Sequence, residues 1–317
     1  MNDPLPLPEG FAVGHWTDRE ARTGCTVVIA PPGTRGAVDV RGGGTGSREL
    51  EPLSPLANAE GPTAVLLTGG SAFGLAAADG VVRWLEQRGL GRPTPMGAIP
   101  LVPTAVVFDL AEGEPGRRPG PEEGYAACEA ARGGVPERGR IGAGTGAAVG
   151  KVLGRERSTP GGVGYASTRL AGGDTLAAVA VANASGDVIA ENGEILGGPR
   201  GEGGEVLRSA EVMRNMPGLP DWGPRPDQST TLACVCIDAA LDKRACGIVA
   251  RAASAGIARA VDPVFTPLDG DIVFCLASGP GPPARPGPAA SWSLTVLGTA
   301  AATLTATAIR DAVRQAG

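Results

Sequence analysis

Ser229, Thr230 and Thr231 stand where a long polar stretch gives way to the apolar run TTLACVCIDA. By composition they read as the β-branched opening of a strand. A second reading uses a specific chemistry. A Thr hydroxyl at such a boundary can attack the carbonyl that precedes it; the acyl group passes from nitrogen to oxygen, and water frees the Thr as a new N-terminal residue. The released α-amine titrates near ~8, so part of it is neutral at physiological pH and can take the proton of the hydroxyl on the same residue. That chemistry needs no histidine, and His15 is the only one in the chain. The same count excludes a zinc cluster of several histidines, and a Ser-His-Asp triad would rest wholly on His15.

Other motifs read more plainly. TGGSAFG (68–74) departs from the G-x-S-x-G elbow at Phe73, and Ser71 is expected near the N-cap of the helix that follows. IGAGTGA (141–147) satisfies G-x-G-x-x-A, but VPERGR before it is not the apolar strand a dinucleotide site requires. RGGGTG (41–46) reads equally as a tight loop that lets the backbone approach something closely, and composition alone does not choose. Cys234 and Cys236 share one face of an expected strand. No other Cys or His pair at ligand spacing joins them, so they read as small buried side chains, as do Cys25, Cys128, Cys246 and Cys275 in their apolar runs.

The chain of 317 residues carries a net charge of −5, and its pI is near 5.1. This argues against a nucleic-acid partner, which calls for clustered Lys and Arg. MNDPLPLPEGF lacks the basic and apolar regions of a secretory signal, so a cytoplasmic location is the expectation. Pro286 to Ile309 contains no charged residue, yet Ala and Thr dominate it. Leu294, Leu297, Ala301, Leu304 and Ala308 recur at helical steps, which predicts a core-packed helix and no membrane partner.

These groups must be held by the surrounding elements. Strands are expected near 25–30, 37–40, 64–68, 103–110, 175–184, 230–239 and 271–278, and helices at 72–88, 123–132, 242–260 and 291–315. VAVANASGDVIAE looks like a hairpin turning at Ala184 to Asp187, so an α+β layered sandwich is favoured over an alternating parallel sheet. Residues 111–122 and 191–229 break the pattern. The second, rich in Gly, Pro and charge, reads as an unstructured connection that ends at the mouth of a strand, where a cleavable bond would sit.

Taken together, several segments resemble the DmpA family of L-aminopeptidase/D-amidase-esterases and β-peptidyl aminopeptidases. They are VGHWTDREARTGCTVVI (13–29), RGGGTGSRE (41–49), LLTGGSAFGLAAADGV (66–81), GRIGAGTGAAVGKVLG (139–154), VAVANASGDV (179–188), TTLACVCIDAAL (230–241) and TPLDGDIVFCLASG (266–279). The resemblance covers nearly the whole chain. It implies an αββα-type sandwich of the kind shared with ornithine acetyltransferases, and one catalytic domain over 1–317 that cuts itself into 1–229 and 230–317. It also implies an aminopeptidase acting on small peptides, amides or esters with no metal or organic cofactor, assembled as a homo-oligomer, often a tetramer.

Position by position, the resemblance makes Thr230 the nucleophile and Ser229 the residue whose carbonyl is attacked. Asn183 matches an Asn that helps bind the oxyanion; as a bare residue it reads equally as a turn Asn. Asp269 and Asp271 fall where aminopeptidase members carry a Ser and a Glu, and a carboxylate there can orient an ammonium or relay a proton. Three departures stand out. Ser229 replaces the Asn or Gly of many relatives, Asp269 replaces Ser, and Gly150 stands where some members use a Tyr to complete the oxyanion hole. Lys151 or a backbone N–H would have to substitute for that Tyr. An acyltransferase of the ornithine acetyltransferase type and a non-catalytic binding protein remain alternatives.

Overall fold

The computed structural model describes residues 3–114, 116–218, 229–283 and 286–317. Ten strands carry the architecture: β1 (Ala12–Asp18), β2 (Thr23–Ile29), β3 (Arg35–Val40), β4 (Ser47–Arg48), β5 (Ala64–Thr68), β6 (Thr104–Val106), β7 (Val163–Arg169), β8 (Thr175–Asn183), β9 (Thr230–Ile237) and β10 (Ile272–Ala277). They form two five-stranded sheets in the orders β1-β2-β5-β6-β4 and β7-β8-β9-β10-β3. Four principal helices cover them: α1 (Ala77–Glu86), α2 (Pro121–Glu129), α3 (Lys243–Ala260) and α4 (Pro288–Arg314).

Strand alternation builds the layers. In β9, Leu232, Cys234 and Cys236 pack into the core between the sheets, while Ala233, Val235 and Ile237 face α3 and α4. A third apolar cluster joins β2 and β5 to α1 and α2. A strand buried on both faces shows no hydrophobic-to-polar alternation, which is why LACVCI, after the two threonines that open β9, is a continuous apolar run. The result is the expected four-layer αββα sandwich. Leu297, Ala301, Leu304 and Ala308 are buried as the C-terminal helical pattern predicts. α4 is long and apolar enough by composition to cross a membrane, and half of its most apolar window is buried inside the fold. All six cysteines are buried and unbonded.

The structure corrects three expectations. The segment 179–191 is not a hairpin. β8 pairs with β7 and β9, whereas Asp187–Ile189 joins a separate three-stranded sheet with Ile195–Gly197 and Val261–Asp262. The stretch 191–218 is not unstructured either, since it holds the strand Ile195–Gly197 and the helix Ser209–Asn215. Asp187 anchors that helix by accepting from Ser209 N at 2.8 Å. The remainder of the expected connection, 219–228, lies outside the described residues. Ser71 opens a 3-10 turn with φ +52° and makes no side-chain cap.

Two strands, β1 and β7, had no clear signal. Each contains a glycine at a point of close approach: a Cβ on Gly14 would fall 2.0 Å from Ala127 O, and one on Gly164 2.0 Å from Ala308 O. Helices α2 and α4 lie directly on these strands, so bulk is excluded there and the β-propensity of the segments is low.

Candidate active site

Thr230 is the first residue of β9, and the antiparallel register sets it opposite Asn183 at the end of β8. Both residues follow the phase of Leu232 and Val181, so both face the inter-sheet side of the sandwich. The apolar core stops at this point, and Thr230 sits at its rim, 4% exposed.

The loop before β10 supplies the next contacts. Ser229 forms a parallel bridge with Asp269. Its N–H donates to Leu268 O at 3.2 Å, and its carbonyl accepts from Gly270 N at 2.7 Å. The Thr230 hydroxyl donates to that same carbonyl at 2.6 Å. The carbonyl of the expected scissile bond therefore has the hydroxyl and a backbone N–H on one oxygen. Gly270 permits this closeness, because a Cβ there would stand 2.8 Å from Thr230 Oγ1.

Asn183 is fully buried. Its Oδ1 accepts from Ala148 N at 3.1 Å and from Lys151 Nζ at 3.1 Å, and Lys151 Nζ also donates to the Asn183 backbone carbonyl at 2.9 Å. Both partners of the side chain are obligate donors, which identifies the oxygen and turns Nδ2 the other way. That Nδ2 is buried with no partner among the described residues. An orphaned buried donor costs about 1–3 kcal/mol, and here it stands across from the hydroxyl as a ready ligand for negative charge.

Gly150 cannot be replaced by a larger residue in this setting. Its φ is +69°, and an added Cβ would lie 2.3 Å from Gly198. Its N–H is already given to Gly186 O at 2.9 Å. Both substitutes expected for the missing Tyr bring a donor to Asn183 Oδ1, Lys151 through Nζ and the backbone through Ala148 N, each at 3.1 Å.

Asp269 and Asp271 are both buried. Asp269 accepts from Ser185 Oγ at 2.8 Å and from Thr266 N at 3.1 Å. Asp271 accepts from Thr231 N at 2.6 Å and from Phe265 N at 3.3 Å. Burial first, and the charge of Asp269 second, push the Asp271 carboxyl from 3.8 up to about 7, against the pull of the hydrogen bonds from Thr231 and Phe265. Such a group holds and releases protons near neutral pH. The RGGGTG loop supports both from outside: Arg41 N donates to Asp271 O at 2.9 Å and Gly44 N to Asp269 O at 2.8 Å. What that loop approaches closely is the 266–271 turn.

The structure thus gathers Ser229, Thr230, Asn183, Lys151, Asp269 and Asp271 into one site. His15 is engaged elsewhere, its Nδ1 on Thr26 Oγ1 at 2.9 Å, and burial lowers its pKa to about 4. Sequence reasoning passed over Gly270, Ser185 and Thr266. The first was visible as the glycine between two acids; Thr266 meets Asp269 through a local turn, whereas Ser185 is an ordinary turn residue until the tertiary fold sets it against Asp269.

Comparison with known proteins agrees with this architecture. The L-aminopeptidase D-Ala-esterase/amidase from Ochrobactrum anthropi, described as a variant of the Ntn hydrolase fold, superposes with a TM-score of 0.69 at 18% identity over 97% of this chain and 85% of that one. A Burkholderia sp. beta-aminopeptidase superposes with a TM-score of 0.71 at 23% identity, over 98% and 86%. The fold is that of the N-terminal-nucleophile hydrolases. The sequence profile of peptidase family S58 matches residues 9–317, and the chain belongs to that family and is a hydrolase. An uncharacterized aminopeptidase of Mycobacterium tuberculosis is 41% identical over 97% of this chain and 92% of its own length. A 6-aminohexanoate-oligomer endohydrolase of Paenarthrobacter ureafaciens is 30% identical over 97% and 84%.

Proposed function

We propose that the chain cuts itself between Ser229 and Thr230 and then works as an aminopeptidase on short peptides, amides or esters. The observation that carries this reading is the pair of donors, Thr230 Oγ1 and Gly270 N, on the Ser229 carbonyl. In the uncut chain Thr230 has no free amine, so a buried carboxylate of the 266–271 turn takes the hydroxyl proton; Asp271, poised near neutrality, suits the task. The Oγ1–carbon bond forms and the peptide C–N bond breaks as nitrogen takes up the proton. Water then hydrolyses the ester, leaving a Ser229 carboxylate and a Thr230 α-amine.

In the mature enzyme that amine is the base toward its own hydroxyl. Thr230 Oγ1 attacks the substrate carbonyl, and Asn183 Nδ2 and Gly270 N–H receive the developing oxyanion. Lys151 holds the Asn183 carboxamide in place. Asp269 and Asp271 hold the turn and the new ammonium. Water resolves the acyl-Thr230 ester.

Cleavage inside a chain of ω-amino acid units is a second reading, favoured by the 30% identity to the 6-aminohexanoate-oligomer endohydrolases over 97% of this chain. A substrate panel with free and blocked N-termini separates the two, because an aminopeptidase loses activity on blocked substrates.

Intact mass spectrometry of freshly purified protein under denaturing conditions, beside Thr230→Ala, tests the whole reading. Fragments 1–229 and 230–317 in the wild type and an uncut variant are expected. A wild-type chain that stays whole on long incubation overturns it.

A further inference from the structure

Both donors to the Asn183 side-chain oxygen come from one stretch of chain, Ala148 N and Lys151 Nζ, each at 3.1 Å. Any displacement of that stretch turns the carboxamide and carries Nδ2 with it. What holds the stretch is therefore part of how the site is built.

Just past Lys151 the chain enters a 3-10 turn, Arg155–Arg157. The Arg155 side chain, 9% exposed, reaches back across the loop and pairs with Glu112. Its Nη2 donates to Gly146 O, just before Ala148, and its Nη1 to Phe108 O at 3.2 Å. Arg155 thus closes residues 146–155 into a loop and fastens it to the segment that follows β6. That segment belongs to the sheet opposite the one that carries Asn183. A planar guanidinium offers five donors in a fixed fork and can serve two carbonyls and a carboxylate at once; a lysine ammonium has no such geometry.

The other side of Gly146 is closed as well. A Cβ there would fall 2.1 Å from Arg22 O and 2.8 Å from Asp109 Cβ. Asp109 is itself fixed, accepting from Gly70 N at 2.6 Å and from Thr23 Oγ1 at 2.7 Å. Burial pushes its carboxyl up, and the hydrogen bonds from Gly70 and Thr23, then the charge of Arg155, pull it back. Gly146 therefore has no room to shift between Asp109 and the guanidinium. Further along the loop, Gly150 N and Lys151 N donate to Gly186 O and Ser185 O at 2.9 and 3.0 Å, beside Asn183.

We propose that Arg155 is a positioning residue for the reaction: by stapling the 146–155 loop to the opposite sheet it fixes the two donors that aim Asn183 Nδ2 at the developing oxyanion. This rests on the reading of Thr230 as nucleophile and Asn183 as oxyanion ligand. Arg155 touches neither the substrate nor the reacting atoms, and its effect passes through Asn183.

The test is a double-mutant cycle on the mature full-length enzyme with an aminoacyl anilide as substrate, comparing Arg155→Met, Asn183→Leu and both together. Arg155→Met alone is expected to lower kcat by about 10–10²-fold with KM nearly unchanged, as displacement of a reacting group by about 1 Å does. In the Asn183→Leu background the same change should alter kcat by less than about two-fold, because two residues acting as one unit are not additive. Arg155→Lys keeps the charge without the fork and should lose nearly as much as Arg155→Met. Far-UV circular dichroism is the folding control, and Arg155→Lys carries the cycle if Arg155→Met fails it. A variant too slow to mature is scored by its rate of self-cleavage in the same cycle. Equal losses in both backgrounds, a change confined to KM, full activity in Arg155→Lys, or failure of both Arg155 variants to fold overturns the proposal. Wild-type kcat in Asn183→Leu would instead overturn the reading of the site on which it rests.

Discussion

Gly270 and Thr230 touch through an atom that is absent: a Cβ on Gly270 would stand 2.8 Å from the Thr230 hydroxyl oxygen. The Gly270 N–H meanwhile holds the Ser229 carbonyl at 2.7 Å. The site therefore depends on a residue with no side chain, placed between two buried acids.

Gly270→Ala is expected to keep the fold and stop the cleavage. The added methyl meets Thr230 Oγ1, and Gly44 O at 2.9 Å, so the hydroxyl must leave its position beside the carbonyl. Misplacement of reacting groups by about 1 Å costs on the order of 10²-fold in rate. Following uncut chain by mass over time, with melting temperature as control, measures it; cleavage at the wild-type rate would rule out this role for the contact.

Replacing Asn183 by Leu removes the orphaned donor. In mature enzyme the expected loss is about 10²–10³ in kcat, or roughly 3–4 kcal/mol of transition-state stabilisation, with KM much less affected. Lys151→Met acts indirectly, by releasing the carboxamide that Lys151 holds at 3.1 Å, and should lower kcat by a smaller factor. Steady-state kinetics on an aminoacyl anilide distinguishes them. A change confined to KM would move both residues from oxyanion binding to substrate binding.

Asp271 and His15 affect stability in opposite directions as pH changes. The folded Asp271 carboxyl titrates near 7 against 3.8 unfolded, so the folded chain retains a proton across that window and this contribution to stability is lost as pH rises through it. His15 is lowered from 6.5 to about 4, so the unfolded chain binds the extra proton and stability rises with pH between those values. In Asp271→Asn the His15 slope is no longer opposed by that of Asp271. The variant's melting temperature, relative to wild type, should climb between pH 4 and pH 6.5; the His15 slope is common to both proteins and cancels in this difference, so a pH-independent difference would contradict the Asp271 assignment.

Lys243 has a purely structural task. Its ammonium donates to the carbonyls of Pro52, Ala57 and Ala59 at 2.7, 2.9 and 2.6 Å, tying the start of α3 to the 52–59 turn. Lys243→Met leaves those acceptors unpaired and should cost about 3 kcal/mol of stability with little effect on cleavage rate. Chemical denaturation reads the first and mass spectrometry the second; an unchanged midpoint would mean that water replaces the ammonium without cost.

Much of this protein was legible in its sequence. The apolar run of β9, the helical spacing of α4 and the buried cysteines follow from local periodicity, which a chain carries without knowing its fold. The order of motifs around Thr230, Asn183, Asp269 and Asp271 was enough to bring the site residues together as a set. Only the tertiary structure decided how they are held. The register that sets Asn183 opposite Thr230, the Lys151 ammonium that fixes which way its amide turns, and the Ser185 contact to Asp269 all join residues distant in the chain. The turn after Asn183 likewise looks like a hairpin locally, yet Asp187–Ile189 leaves for another sheet, because its hydrogen-bond partners at Val261–Asp262 lie over seventy residues away. Periodicity reports which face of an element is apolar; pairing across the fold is settled by which distant groups satisfy each other when the layers close.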